Sequence, residues 1–221
     1  MHSGDSVTIE RDVDFKLLRV FLSSIKAPKH NHDVQEDFGW ESKESLRKLA
    51  IGKKVRCVIE YTKTTENKIQ MTFASVFLAN KQEKNLAAKQ LERGLARSSL
   101  NKEHLSRFLE DLLSSEKKAI EAKLCIHSKR EPPKIVFNDL TQDVKLAKAY
   151  EQMLSKRTDR KFTGVVEYCF SGMRFKIRLE SENCQIALNL LGVATTKADK
   201  NQPALMEYAN DALAFAKEHL F

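Results

Sequence analysis

Ser3-Gly4-Asp5-Ser6-Val7-Thr8-Ile9 decides the fold, because it returns 168 positions later as Ser171-Gly172-Met173-Arg174-Phe175-Lys176-Ile177. Each copy reads as a turn entering a strand. The same offset carries Ile25 onto Val193, Lys29 onto Lys197 and residues 40–49 onto 208–217, so the spacing persists through a strand, a loop and a helix. A repeat at fixed spacing means two related units in one chain, and it sets the boundaries that follow.

Working outward, 7–9 and Leu17–Leu22 read as strands, the second followed by the loop Lys26-Ala27-Pro28-Lys29. A helix is expected from about Asp37–Trp40 to Gly52, with Trp40, Leu46, Leu49 and Ala50 as its apolar stripe and Lys43, Arg47 and Lys48 opposite. Period-two alternation marks strands over 55–61 and 69–73. Helical spacing marks 85–93, closed by Gly94, and 101–124, with Leu105, Phe108, Leu109, Leu112, Ala119 and Ile120 on its stripe. The segment Ile126-His127-Ser128-Lys129-Arg130-Glu131-Pro132-Pro133 breaks the pattern and reads as a connector. A linking helix over 142–156, with Val144, Ala147, Glu151 and Leu154 on successive turns, leads to the basic cluster Lys156 to Lys161. Strands are expected over 162–170, 173–179 and 184–193. A last helix opens at Pro203 and buries Leu205, Ala209, Ala212, Ala216 and Leu220. The expected organisation is a first domain over 1–125, a basic connector and linking helix over 126–161, and half of a second domain over 162–221.

The 221 residues are 42% hydrophobic and 31% charged, a balance that buries real cores and excludes disorder. No apolar run approaches the ~18–20 residues of a membrane span, and the start lacks the pattern of a signal peptide, so no membrane or secretory address is expected. Cys57, Cys125, Cys169 and Cys184 are widely spaced, which favours reduced thiols over a disulfide framework. A net charge of +8 and a pI of about 9.2 make an acidic partner plausible, nucleic acid foremost, although a solvated lysine-rich surface has the same charge.

The order strand, strand, strand, helix, strand, strand, helix is that of a small Greek-key OB-type barrel, giving an α+β protein of tandem five-stranded barrels with packed helices. The two units are truncated at opposite ends: the first lacks a strand before its Ser-Gly turn, and the second stops after its first helix. Open barrels expose sheet edges, so the chain is expected to be a piece of a longer polypeptide, or to borrow strands from a neighbour.

Several segments, namely Ser3 to Val7, Phe21 to Pro28, Phe38 to Leu49, Ile51 to Val55, Asn85-Leu86-Ala87-Ala88, Arg93-Gly94-Leu95-Ala96, the connector from His127 to Pro132, and Val165 to Gly172, closely resemble the staphylococcal nuclease-like domains of the Tudor-SN (p100 coactivator) family. The connector places the resemblance at the third nuclease-like repeat followed by the first half of the fourth. No segment is left for a Tudor module. The resemblance implies an RNA-binding scaffold tied to transcriptional coactivation, RNA silencing in RISC, and decay, in nucleus and cytoplasm. It also implies a calcium-dependent nuclease activity for the family.

Phosphodiester cleavage of that kind needs clustered carboxylates for a hard cation, a general base and arginines for the phosphate. Of the family's pattern only Asp5 survives in the first unit, and aspartate after glycine also serves as a turn-stabilising residue. Phe21 stands at the arginine position, Lys26 and Lys29 replace two acidic residues, and Lys68 aligns weakly with the later arginine. The second unit has Met173, Asn189, Ala194 and Lys197 at the four places. No catalytic residue and no cofactor are therefore expected, calcium entering only if the segment is a nuclease after all. His30-x-His32 and Cys125-x-His127 have metal-like spacing without a second pair.

Replacing carboxylates by lysines turns a cleaving cleft into a holding one. The expected nucleic-acid contacts are Lys26, Lys29, Lys43, Arg47, Lys48, Lys53, Lys54 and Arg56, then Lys129, Arg130, Lys156, Arg157, Arg160 and Lys161 around the junction. With few exposed aromatics evident and Trp40 read as core or groove wall, the partner expected is double-stranded or structured RNA held by its backbone. Two rivals remain: a calcium-dependent RNA endonuclease, and a scaffold for protein partners of transcription or silencing complexes that makes no direct RNA contact.

Overall fold

The computed structural model describes residues 3–220 apart from 31–33, 67, 80–82, 101–103, 129, 133–136, 142, 157–160 and 197–201, and apart from the side chains of 153 and 154. The chain divides into two compact units, Met1–Pro133 and Lys134–Phe221.

In the first unit, β1 (Ser6–Glu10) and β2 (Leu17–Leu22) form an antiparallel hairpin. β2 runs parallel to β5 (Gln70–Leu78), which pairs antiparallel with β4 (Val55–Thr64) to give the order β1-β2-β5-β4. Two-residue strands β3 (Ile25–Lys26) and β6 (Arg97–Ser98) pair separately. The helices are α1 (Gly39–Ala50), α2 (Leu86–Glu92) and α3 (Leu109–Glu121). Alternation along β2 turns Val20 and Leu22 inward, where they meet Val7, Ala74 and Val76 and the helix residues Leu46, Leu86, Leu91 and Leu112. Each such buried side chain stabilises the fold by roughly 1.5–3 kcal/mol. α2 begins where Asn85 Oδ1 accepts from the Ala87 amide at 2.9 Å. α1 lies directly on the Ser-Gly turn: a β-carbon on Gly4 would fall 1.8 Å from Ser42 Oγ. The buried Gln90 side chain joins these pieces by donating to the Gly4 and Ser42 carbonyls, both at 2.9 Å.

The helix expected over 101–124 begins only at Leu109. Ser106 explains the late start, since its hydroxyl donates to Glu60 at 2.7 Å and its amide to Ser24 Oγ at 3.3 Å, bonds that compete with helical ones. Leu105, expected on the apolar stripe, is exposed. Residues 101–103 lie outside the described ones.

In the second unit, β7 (Asn138–Asp139), β8 (Gly164–Cys169), β9 (Arg174–Leu179) and β10 (Cys184–Asn189) form a sheet of order β7-β10-β9-β8. α4 (Val144–Ser155) starts at Asp143, whose carboxylate accepts from the amides of Lys145 and Leu146. Its packed face is Ala147 and Tyr150, and Val144 is exposed. Of the stripe expected on α5 (Pro203–Leu220), Ala216 is buried and Leu220 is exposed; the helix meets the Cys169 and Phe175 cluster through Leu213 and Ala216, and Ala212 lies against Gly172. The last strand stops at Asn189 rather than Val193, and Gly192 turns the chain at φ 75°.

The repeat survives in the pairing itself. Val7 lies opposite Val20 and Phe175 opposite Leu188, and Ile9 opposite Leu18 as Ile177 opposite Ile186, all at the same offset. Both units are therefore α+β. Among the described residues neither sheet closes into the expected five-stranded barrel, since the edge strands β1 and β4 do not pair with each other, nor do β7 and β8.

Candidate nucleic-acid interface

The Ser-Gly turn brings Asp5 beside the loop after β3. One Asp5 carboxylate oxygen accepts from the Ala27 amide at 3.0 Å and the other from Ser3 Oγ, while its carbonyl accepts from the Leu22 amide at 2.8 Å. One carboxylate oxygen thus ties the turn to the loop, and the other braces the turn itself. Phe21, at the arginine position, leans on Phe73 with ring centroids 5.5 Å apart, and the Arg19 guanidinium covers it at 5.1 Å. Lys26 and Lys29 are exposed, and the Lys29 amide donates to Glu36 at 2.7 Å. Calcium does not fit this donor set: Asp5 is its single carboxylate, two lysines stand at the acidic positions, and among the described residues no three potential ligands gather.

The β3–β6 pairing sets Lys26 directly across from Arg97. These two form one wall of a groove of about 650 Å³ that continues through Pro28, Phe38, Ser98, Ser99, Ser128 and Arg130. Glu36, Asp37 and Glu131 also line it, so among the described residues its cations and carboxylates are equal in number. Arg97 escaped the sequence reading because a two-residue strand leaves no alternation to detect.

The other expected contacts divide by their partners. Arg47 pairs with the buried Glu44 at 2.6 Å, Lys48 reaches the same carboxylate at 3.4 Å, and Arg56 holds Glu83 at 2.9 Å while covering the Phe77 ring. Lys53 donates to the Lys48 carbonyl. Lys26, Lys29, Lys43, Lys53 and Lys54 form no ion pair among the described residues, and all but the half-buried Lys43 are exposed. In the second unit Lys156 and Lys161 are exposed, and Arg157 and Arg160 lie outside the described residues, as do Lys129, His32 and Lys197. Met173, Asn189 and Ala194 supply no carboxylate there. Arg178, buried, instead bridges Glu167 at 2.7 Å and Glu180 at 2.9 Å.

The expectation of few exposed aromatics needs correcting, since Phe15, Tyr168, Phe170, Tyr208 and Phe215 are exposed. On the outer face of the first sheet the half-buried Phe21, Phe73 and Tyr61 run in a row that His104 continues, with Tyr61 stacked at 4.5 Å on Phe73 and at 4.3 Å on His104. The four cysteines are free, and burial raises the pKa of each thiol. His127 Nε2 is buried without a hydrogen-bond partner among the described residues, and burial holds its imidazole below the ordinary value. Among the described residues no helix is long and apolar enough to cross a membrane.

Residues 19–129 match the profile of the staphylococcal nuclease homologue family. The chain is 30% identical over 230 residues to Ribonuclease TUDOR 2 of Arabidopsis thaliana, covering 91% of this chain and 23% of that protein. It is 32% identical to Ribonuclease TUDOR 1 of the same plant, over 79% of this chain and 21% of that protein. To the staphylococcal nuclease domain-containing protein 1 of Schizosaccharomyces pombe it is 25% identical, over 99% of this chain and 25% of that protein. The chain spans about a quarter of the length of these relatives.

Proposed function

This chain belongs to the staphylococcal nuclease domain-containing (Tudor-SN) family, and from that premise we propose that it is an RNA-binding segment whose own nuclease positions are inactive. The observation that carries this reading is the state of Asp5: the one surviving acidic position uses one carboxylate oxygen to hold the Ser-Gly turn against Ala27 and the other to bond Ser3 within the turn. With Phe21 packed on Phe73 and lysines at 26 and 29, the described residues around it gather no set of ligands for a hard cation. Lys26, Arg97 and Arg130 beside three serine hydroxyls offer phosphate contacts. Lys29, Lys43, Lys53 and Lys54, which form no ion pair among the described residues, extend the positive surface beyond the groove, whose described charges balance. Binding of this kind follows the RNA backbone and shape, which suits a structured or double-stranded partner. The barrels that OB-type units form would be completed by strands beyond those described, and the proposed setting is RNA silencing, decay and coactivation in cytoplasm and nucleus.

The names of the plant relatives favour a second reading, RNA cleavage. One experiment separates the two. Fluorescence anisotropy of labelled single- and double-stranded RNA is followed across a salt series with calcium or EDTA, and the same samples are run on a gel. Intact RNA bound with a steep salt slope is the expected result; calcium-dependent fragments, abolished by Asp5→Ala, would overturn it. Absence of binding would assign the segment to protein partners alone.

A further inference from the structure

The two hairpins act as controls for each other. Under the constant offset, Val13, Phe15 and Leu17 of the first correspond to Ser181, Asn183 and Gln185 of the second. Phe15 and Asn183 both adopt the left-handed conformation, at φ 54° and 49°. Asparagine is at home there, whereas a bulky aromatic residue is not. The first hairpin nevertheless holds Phe15 at 74% exposure and Val13 at 94%, with Leu17 behind them at 66%. The tip is held in shape by the Phe15 amide bonded to the Arg11 carbonyl at 2.9 Å, the Arg11 amide bonded to the Lys16 carbonyl at 3.1 Å, and the Arg11–Asp14 ion pair. An apolar, strained and exposed tip, where the sister unit has a polar and relaxed one, needs a purpose outside the fold.

The patch continues onto the outer sheet face. Extending the parallel register of β2 and β5 back from Val20 and Thr72 sets Leu17 beside Ile69, which is also exposed. The exposed Arg19 follows Leu17 on that face, and Lys63 lies opposite Met71 on the next strand; neither has an ion pair among the described residues. We propose that the hairpin tip and this shelf dock a protein segment that sets apolar side chains on Val13, Phe15, Leu17 and Ile69 and a carboxylate on Arg19 and Lys63. Val13, Leu17 and Ile69 are aliphatic and offer no ring face to a base, Phe15 alone presents a ring, and the aromatic row behind them is stacked on itself, which favours protein over nucleic acid.

The test uses the double substitution V13S/F15N, which installs the residues of the sister hairpin. The probe is a fluorescein-labelled twelve-residue peptide alternating leucine with glutamate, beside the same peptide with lysine for glutamate. The acidic peptide is expected to bind saturably, at least tenfold more weakly to V13S/F15N and to Arg19→Glu, and the lysine peptide not to bind. The melting temperature of V13S/F15N is expected to equal or exceed that of the parent, because asparagine suits the turn. Equal affinity for parent and V13S/F15N, no binding, equal binding of both peptides, or a melting temperature several degrees lower would each overturn the proposal. So would a threefold or greater loss of single-stranded RNA affinity in V13S/F15N, which would assign the tip to nucleic acid. Failure here leaves the RNA reading untouched, since that rests on other residues.

Discussion

At the residue scale, Gly4 and Glu60 hold the first unit together by opposite means. Gly4 is required for absence of volume: its alanine variant pushes a β-carbon into Ser42 and Ala27, so α1 must move, and a loss of about 2 kcal/mol is expected by chemical denaturation. Glu60 supplies a charge that three hydroxyls share, from Ser23 at 2.8 Å, Ser75 at 2.6 Å and Ser106 at 2.7 Å. Glu60→Ala strands all three and should cost about 3 kcal/mol, with Glu60→Gln milder. His127 adds a pH dependence. Its folded pKa lies below the unfolded value near 6.5, so the unfolded chain takes up a proton first as pH falls. Its contribution to stability is present above pH 6.5 and lost as pH drops toward the folded value; His127→Gln should flatten denaturation midpoints across pH 7 to 5. Of these residues, the Ser-Gly turn was legible in the sequence because its composition is local. The Glu60 cluster was not, because residues far apart in the chain meet only after folding.

At the element scale, the pairing of β3 with β6 matters most for RNA, because it is what brings Lys26 and Arg97 into one groove wall. Each backbone contact adds close to one to the slope of log affinity against log salt on duplexes. The charge-reversed pair Lys26→Glu, Arg97→Glu should therefore lower that slope by about 2 and weaken all RNA sequences alike, measured by anisotropy. Helices with their own punctuation were readable: α2 has Asn85 before it and Gly94 after it, and α1 ends before Gly52. α3 was over-extended because Leu105 and Phe108 carry helical spacing into a segment that Ser106 diverts to Glu60. The two-residue strands were invisible because no pattern fits in two positions. The Phe21, Phe73 and Tyr61 row was missed because it is read across strands rather than along them.

At the scale of the whole molecule, the units have separate cores of unequal size. The first gathers residues from three helices and a sheet, and the second has two small clusters around Leu179 and Phe175. Calorimetry should show two transitions, with the second unit melting first. Leu46→Ala should move only the upper one and Phe175→Ala only the lower, by the roughly 3 kcal/mol of a large core truncation. That there are two units was legible from the 168-residue offset alone. Among the described residues both sheets stay open, and β7, which borders the second, was not anticipated. The conserved pairing register has a consequence for ancestry. A crossover between the gene segments of the two hairpins that sets Val7 opposite Leu188, or Phe175 opposite Val20, keeps the two strands in register. Genes of this kind can gain or lose whole units by unequal recombination, and the resulting chains inherit a sheet that already pairs.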